Sequence, residues 1–293
     1  MTPQQRRLGA IFIPDLPPEG LREAVLAAEA AGVDELWLWE DCFREAAFSS
    51  AGAALAWTER LRIGIGIAPM PLRNVALTAM EIATLERMFP GRLLPGVGHG
   101  VLSWMGQVGA RVSSPLTLMR EYIPALRSLL AGESVTMDGR YVHLEDVRLD
   151  WPPATAPIVY AAGEGPKTLA LTGEVADATV LTGGTTPEQV AAARDLIAGG
   201  RSLAGRDGEH PVVVYVAVAF GTVAAARAEA QLAEWGMPDQ PHRILAGEPA
   251  RVAAAAERYY EAGADAVILQ PLPNEDDLVA FLEGVAGVAS HQG

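Results

Sequence analysis

Lysine is almost missing from this sequence: one residue, Lys167, stands among 22 lysines and arginines. A biased codon supply accounts for that as readily as selection does, so scarcity alone gives Lys167 no role. The single cysteine, Cys42, excludes an intramolecular disulfide and a cysteine cage for zinc, and fits the reducing cytoplasm expected for this chain. His143, His210, His242 and His291 are scattered without ligand spacing, so no metal site is expected. Cations are outnumbered, giving a net charge of −14, which argues against nucleic acid or an anionic membrane as partner and leaves a small molecule. Long apolar runs are also missing. "VVVYVAVAFGTVAAA" (212–226) is broken at Gly221-Thr222 and falls short of the ~20 residues that span a bilayer. The first apolar run ends at Pro14, too early for the core of a signal peptide.

What the sequence does have is alternation. Short β-branched runs are followed by longer alanine-rich amphipathic stretches from end to end, the pattern of successive βα units around a parallel sheet. Eight strands are expected, at 8–13, 35–39, 61–67, 92–98, 157–162, 177–182, 212–220 and 265–270. Eight such units predict one TIM (β/α)8 barrel over 1–293, with a doubly wound open sheet as the other arrangement. "GESVTMDGRYVHLEDVRLDWPP" (132–153) interrupts the rhythm after the fourth helix and reads as a small inserted hairpin turning at Asp138-Gly139. "WGMPDQPHRILAGEP" (235–249) holds too much proline and glycine for a helix and reads as a loop over one end.

In a TIM barrel the functional residues follow the C-terminal ends of the strands. Those loops read "EDCF" (40–43), "APMPLRN" (68–74), "HGVLSWMG" (99–106), "GEGPK" (163–167) and "GGTT" (183–186). "GVGHGVLSW" and "AAGEGPKT" leave backbone N–H groups open to close approach, as anion cradles require. Pro166 opens a helix there, so its positive end and Lys167 point at one place. Both stretches also read as plain tight turns, and Lys167 as a solvated lysine.

"AAGEGPKTLALTGEVADATVLTGGTTPEQV" closely resembles the strand-five to strand-six region of the luciferase-like monooxygenase superfamily, in its branch using the deazaflavin coenzyme F420, such as methylene-tetrahydromethanopterin reductase. "RIGIGIAPMPLRNVALTAMEIATLERMFPGRLLPGVGHG" and "AGEPARVAAAAERYYEAGADAVILQPL" resemble its middle and closing segments. The resemblance implies a cofactor phosphate held by the loop after strand four, at Gly98, His99, Gly100, Val101 and Leu102. It implies that Ala162, Gly163, Gly165 and Thr182 line the same tail, with Lys167 at the rim screening an anion. Asp41, ending strand two, falls near the ring system, and a non-prolyl cis peptide is placed at Gly66-Ile67, bulging toward the ring. Gly64 and Gly66 are expected to leave room on one face of strand three for a flat ring.

Three departures bear on the chemistry. Arg73-Asn74-Val75 replaces the family's frequent Arg-His-Pro, and Cys42 and Val101 stand where sugar-phosphate-oxidising relatives carry His and Glu. The sugar-phosphate reaction is therefore not carried over. Pro95 inside strand four removes a ladder donor. Asp41 and His99 remain as groups that could act in catalysis, His99 either by proton exchange or only through its backbone. Cys42, Phe43 and Trp104 could wall a substrate pocket or merely cover the barrel mouth. The reading is an F420-dependent oxidoreductase exchanging hydride with a small organic substrate, a homodimer by family analogy. An FMN-dependent monooxygenase on the same scaffold is the alternative, although no arginine sits in the cradle loops to anchor its phosphate. Schiff-base chemistry at Lys167 and ligand binding without turnover are the other rivals.

Overall fold

The computed structural model describes residues 6–273, 275 and 277–292. The chain begins with β1 (Arg7–Phe12), α1 (Leu21–Ala31), β2 (Glu35–Leu38), α2 (Ala47–Trp57), β3 (Arg62–Pro69) and α3 (Val75–Met88). Next come β4 (Leu93–Gly98), the short α4 (Leu102–Gln107), α5 (Pro115–Leu130), β5 (Val135–Asp138) and β6 (His143–Val147). The second half runs β7 (Tyr160–Ala162), α6 (Pro166–Val175), β8 (Ala178–Leu181), α7 (Pro187–Leu203), β9 (Val212–Phe220), α8 (Ala224–Glu234), β10 (Ile244–Gly247), α9 (Pro249–Glu261), β11 (Ala266–Pro271) and α10 (Leu278–Ser290).

All eight expected strands are present and parallel. The order β9-β11-β1-β2-β3-β4-β7-β8 closes on itself because β8 pairs with β9, giving the TIM barrel rather than an open sheet. Both faces of the strands are covered, which is why they read as continuous apolar runs. Outward residues such as Leu8, Ala10, Phe12, Leu36 and Leu38 pack under the helices, while Ile11, Ile13, Trp37, Tyr160, Val213, Tyr215 and Ile268 fill the interior.

Two irregular segments differ from their sequence reading. β5 and β6 form the expected antiparallel hairpin, but Asp138 still pairs with His143, and the turn is the wider Gly139–Val142, closed by a 2.9 Å bond from Gly139 N–H to Val142 O. Glu121 of α5 accepts the N–H groups of Arg140, Tyr141 and Val142 at 2.9, 2.8 and 3.1 Å, which pins the hairpin to the barrel. The 235–249 segment is not all loop. Its Ile244–Gly247 stretch is β10, which pairs with Ala217–Phe220 of β9, beyond the β8 pairing that ends at Val214. Four apolar or small residues suffice for a strand there because β9 outruns β8 and leaves its ladder groups to be satisfied.

The barrel's interior rests on one buried acid. Glu35 is fully buried and accepts from Arg7 Nη1 at 2.7 Å and Trp37 Nε1 at 2.9 Å, with Arg62 Nη2 also at 2.7 Å. Trp37 then lies where Gly64 has no side chain, a Cβ on which would come 2.1 Å from the indole. The room expected beside Gly64 and Gly66 for a flat ring is thus taken by the protein itself: Trp37 fills it at Gly64, and Tyr215 Oη would stand 1.7 Å from a Cβ on Gly66. Removing one partner of a buried ion cluster strands the others without counter-charge, so Glu35→Ala should cost about 3 to 5 kcal/mol. Urea unfolding checks this, and a loss below about 1 kcal/mol would show that Glu35 is not the anchor.

Candidate active site

A cavity of about 600 Å³ opens at the C-terminal end of the barrel, within the size range of small-molecule sites. Its floor is the interior stack. Trp37 meets Tyr160 and Tyr215 edge-on, with ring centroids 5.4 and 5.9 Å apart, and Tyr215 Oη donates a long 3.4 Å bond to Gly66 O. In β3 the pairing with β4 shifts register between Ile65 and Ala68, so Gly66 and Ile67 bulge opposite Gly96. Pro95 sits at this irregularity, where a missing N–H is tolerated. The Gly66-Ile67 peptide is cis, as expected, and Cys42-Phe43 is a second cis peptide. Gly66 and Ile67 both line the cavity.

The walls come from four loops. After β2, Trp39, Glu40 and Asp41 line the cavity. Glu40 is held rigidly: Arg73 donates to it from Nε at 3.0 Å and Nη2 at 2.7 Å, and its Oε2 accepts the Ala47 N–H at 2.9 Å at the start of α2. After β4, His99, Gly100 and Val101 line it together with Trp104 of α4. Gly100 has φ +67°, and a Cβ there would meet Pro69 at 2.9 Å. After β7 come Ala162, Gly163, Glu164 and Gly165, and after β8 Thr182 and Gly183. Thr182 Oγ1 donates to Glu164 at 2.7 Å and ties these two loops together.

The electrostatics are one-sided. No lysine or arginine lines this cavity among the described residues, whereas Glu40, Asp41 and Glu164 do. Burial pushes the Asp41 carboxyl up, with Arg44 opposing and Asp15 adding to the shift. Burial lowers His99, which favours the neutral imidazole, and among the described residues neither ring nitrogen has a hydrogen-bond partner. Among the described residues no three His, Cys, Asp or Glu side chains gather as a metal site. Nor is any helix there long and apolar enough to cross a membrane.

The family model described as "Luciferase-like monooxygenase" matches residues 4–283. The chain belongs to this family. It is 32% identical over 226 residues to the 5,10-methylenetetrahydromethanopterin reductase of Methanolobus tindarius, covering 76% of this chain and 69% of the reductase. It is also 32% identical over 211 residues to the F420-dependent glucose-6-phosphate dehydrogenase of Tsukamurella paurometabola, covering 65% of this chain and 61% of that enzyme. In structure it resembles an F420-dependent secondary alcohol dehydrogenase solved with an F420-acetone adduct, with a TM-score of 0.89 over 99% of both chains at 21% identity.

Several expected residues of this luciferase-like barrel lie off the cavity lining. The Cβ position of Gly98 is blocked by Ile67 at 2.9 Å, and Leu102, the first residue of α4, is outside the lining. Lys167, the second residue of α6, is exposed and outside the lining. Cys42 and Phe43 line a neighbouring hollow of about 320 Å³ that shares Glu40 and Asp41 with the cavity. Burial, then Glu40 and Asp41, raises the Cys42 thiol, so it is not a thiolate nucleophile. Sequence reasoning missed Trp39, Glu164, Thr168, Tyr215 and Gln270. The alternation Glu35, Trp37, Trp39 carried a signal for the first, since all three point inward. "VVVYVAVAF" carried none for Tyr215, being apolar on both faces.

Glu45 also lines the small hollow, with Oε1 buried and unpartnered, and burial pushes its carboxyl up to about 7 against the pull of Arg44. The unfolded chain releases this proton at lower pH, so the stability associated with neutral Glu45 is present below the ordinary carboxylate range and lost as pH rises through about 7. Glu45→Gln should therefore match the parent's melting temperature near about pH 4 and exceed it above about pH 7. Parallel melting curves across pH that keep a constant gap would contradict this.

Proposed function

We propose that this chain is an oxidoreductase that binds coenzyme F420 in the barrel-mouth cavity and serves hydride exchange with a small organic substrate seated over the cofactor ring. The observation that carries the reading is the cavity's glycine-backed rim at Gly100, Gly163 and Gly165, with no cationic side chain lining the cavity among the described residues. Backbone amides, not arginine, are then left to meet a phosphate. His99, with both ring nitrogens buried and unpartnered, is an orphan that a bound group can relieve once the ring rotates. The relatives named F420-dependent support the same cofactor.

When bound, a deazaflavin supplies two-electron hydride chemistry. The chain's own residues do the rest. Ile67 and the Gly66 bulge back the ring site, and Trp39, Trp104 and Val101 exclude water from it. Asp41, held toward its neutral form by burial, and the neutral His99 imidazole are the groups able to hold or move a proton there. Cys42 and Val101 cannot serve as general acid or base in the way His and Glu would, so a phosphorylated sugar is not the proposed substrate. The chain works as one barrel domain, in the cytoplasm, as a homodimer, its expected bounds of 1 and 293 lying outside the described residues. The outer face of α3 supports the dimer, since Leu77, Met80 and Met88 are 46%, 56% and 62% exposed.

Titration of the purified protein, read by fluorescence quenching, should show F420 binding at least about tenfold tighter than FMN, ~1.4 kcal/mol or more. Equal or reversed affinities would return the FMN-dependent alternative. Lys167→Met should weaken F420 binding by less than about 1 kcal/mol, because the side chain is exposed beyond the rim. A larger loss would move Lys167 into the site.

A further inference from the structure

A second hollow, of about 390 Å³, lies between α6 and α7 over the end of β8. It adjoins the main cavity, sharing Gly163, Glu164, Thr182 and Gly183 as a common rim. Its inner wall is apolar, built from Leu169, Leu181, Ala193 and Leu196. Its cation is Arg243, which enters from the residue just before β10.

The placement of Arg243 follows from two features of the fold. β10 pairs with the part of β9 that β8 leaves uncovered, which brings Arg243 beside the loop after β8. Gly184, at φ +84° and without a side chain, lets the guanidinium lie against that loop, since a Cβ there would stand 2.3 Å from Nη1. Nε donates to Gln240 Oε1, and among the described residues neither terminal nitrogen has an acceptor or a carboxylate partner. A guanidinium offers five donors in a fixed fork suited to carboxylates. Most of the donors of Arg243 remain unspent, facing a hollow whose apolar wall weakens screening.

We infer that this hollow is the exit subsite for the anionic tail of the cofactor, with Arg243 pairing to a tail carboxylate. The inference rests on the F420 reading. F420 carries a lactyl phosphate followed by glutamates, so a molecule anchored by its ring in the main cavity must send a chain of carboxylates out over the rim. The shared rim at Gly163 and Thr182 leads to Arg243. Glu164 stands on that rim with its charge opposed to the tail, hydrogen-bonded to Thr182, which leaves Arg243 as the attractive charge among the residues that line the hollow.

The test compares F420 bearing several glutamates with the same cofactor lacking them, titrated into the full chain at low ionic strength by fluorescence quenching. The parent should bind the glutamylated form about five to ten times tighter, and the preference should shrink with added salt. Arg243→Gln should abolish the preference and leave affinity for the tail-less form unchanged. Arg243→Lys, which keeps the charge without the fork, should retain part of it. Equal affinities of the parent for the two forms, or an Arg243→Gln variant that weakens both by the same factor, would overturn the tail subsite while leaving the F420 reading intact. Binding of neither form would overturn both.

Discussion

The side chain on which the rest of the interior depends is the Glu35 carboxylate. It is fully buried, and what makes that tolerable is three convergent donors, from Arg7, Arg62 and Trp37. Because β1, β2 and β3 each contribute a member, the cluster fixes their relative register at the end of the barrel away from the site. It also fixes the indole of Trp37, and the indole sets everything above it. Gly64 is small because Trp37 occupies its side-chain space, and Tyr160 and Tyr215 stand edge-on to the same ring. Tyr215 in turn reaches the carbonyl of Gly66, where β3 bulges into the cavity. The cavity floor is thus the top of a column of aromatic rings whose base is an ion cluster.

The walls follow a different logic. They are loops, and polar contacts tie some of them to their neighbours. Arg73 clasps Glu40 with two nitrogens and bonds Glu81 with a third at 2.7 Å, so the loop after β2 is fixed to the loop after β3. Thr182 and Glu164 join the loops after β7 and β8. Glu40 and Glu164 line the cavity, whereas Arg73, the cationic partner of Glu40, does not. A cavity lined in this way would meet a phosphate through backbone dipoles, with Arg243 in the adjoining hollow and outside its lining.

The barrel was legible because strands covered on both faces read as unbroken apolar runs between amphipathic helices. Every one of the eight was located, although β7 is only the Tyr160–Ala162 part of its predicted run. β10 was not legible, since its pairing depends on β9 being longer than β8, a tertiary circumstance that leaves no mark in "ILAG". The loops of the site were found from the rule that places function after the strands, and from the resemblance. Residues such as Tyr215 and Gln270 were not, because an all-apolar or short strand does not declare which face looks inward. The glycines of β3 were read as room for a flat ring, and the structure corrects that. What approaches them is Trp37 and Tyr215 from within the chain, and only a three-dimensional arrangement could reveal that partner.

The scarcity of lysine has a practical consequence. Lys167 is exposed at the start of α6, a few residues from Gly163 and Gly165 on the cavity rim. Apart from the chain's terminal amine, it is the one site an amine-reactive dye can modify. A fluorophore attached there would report from the edge of the barrel mouth without any engineered cysteine, so the same sparseness that made Lys167 hard to interpret makes it a ready spectroscopic address.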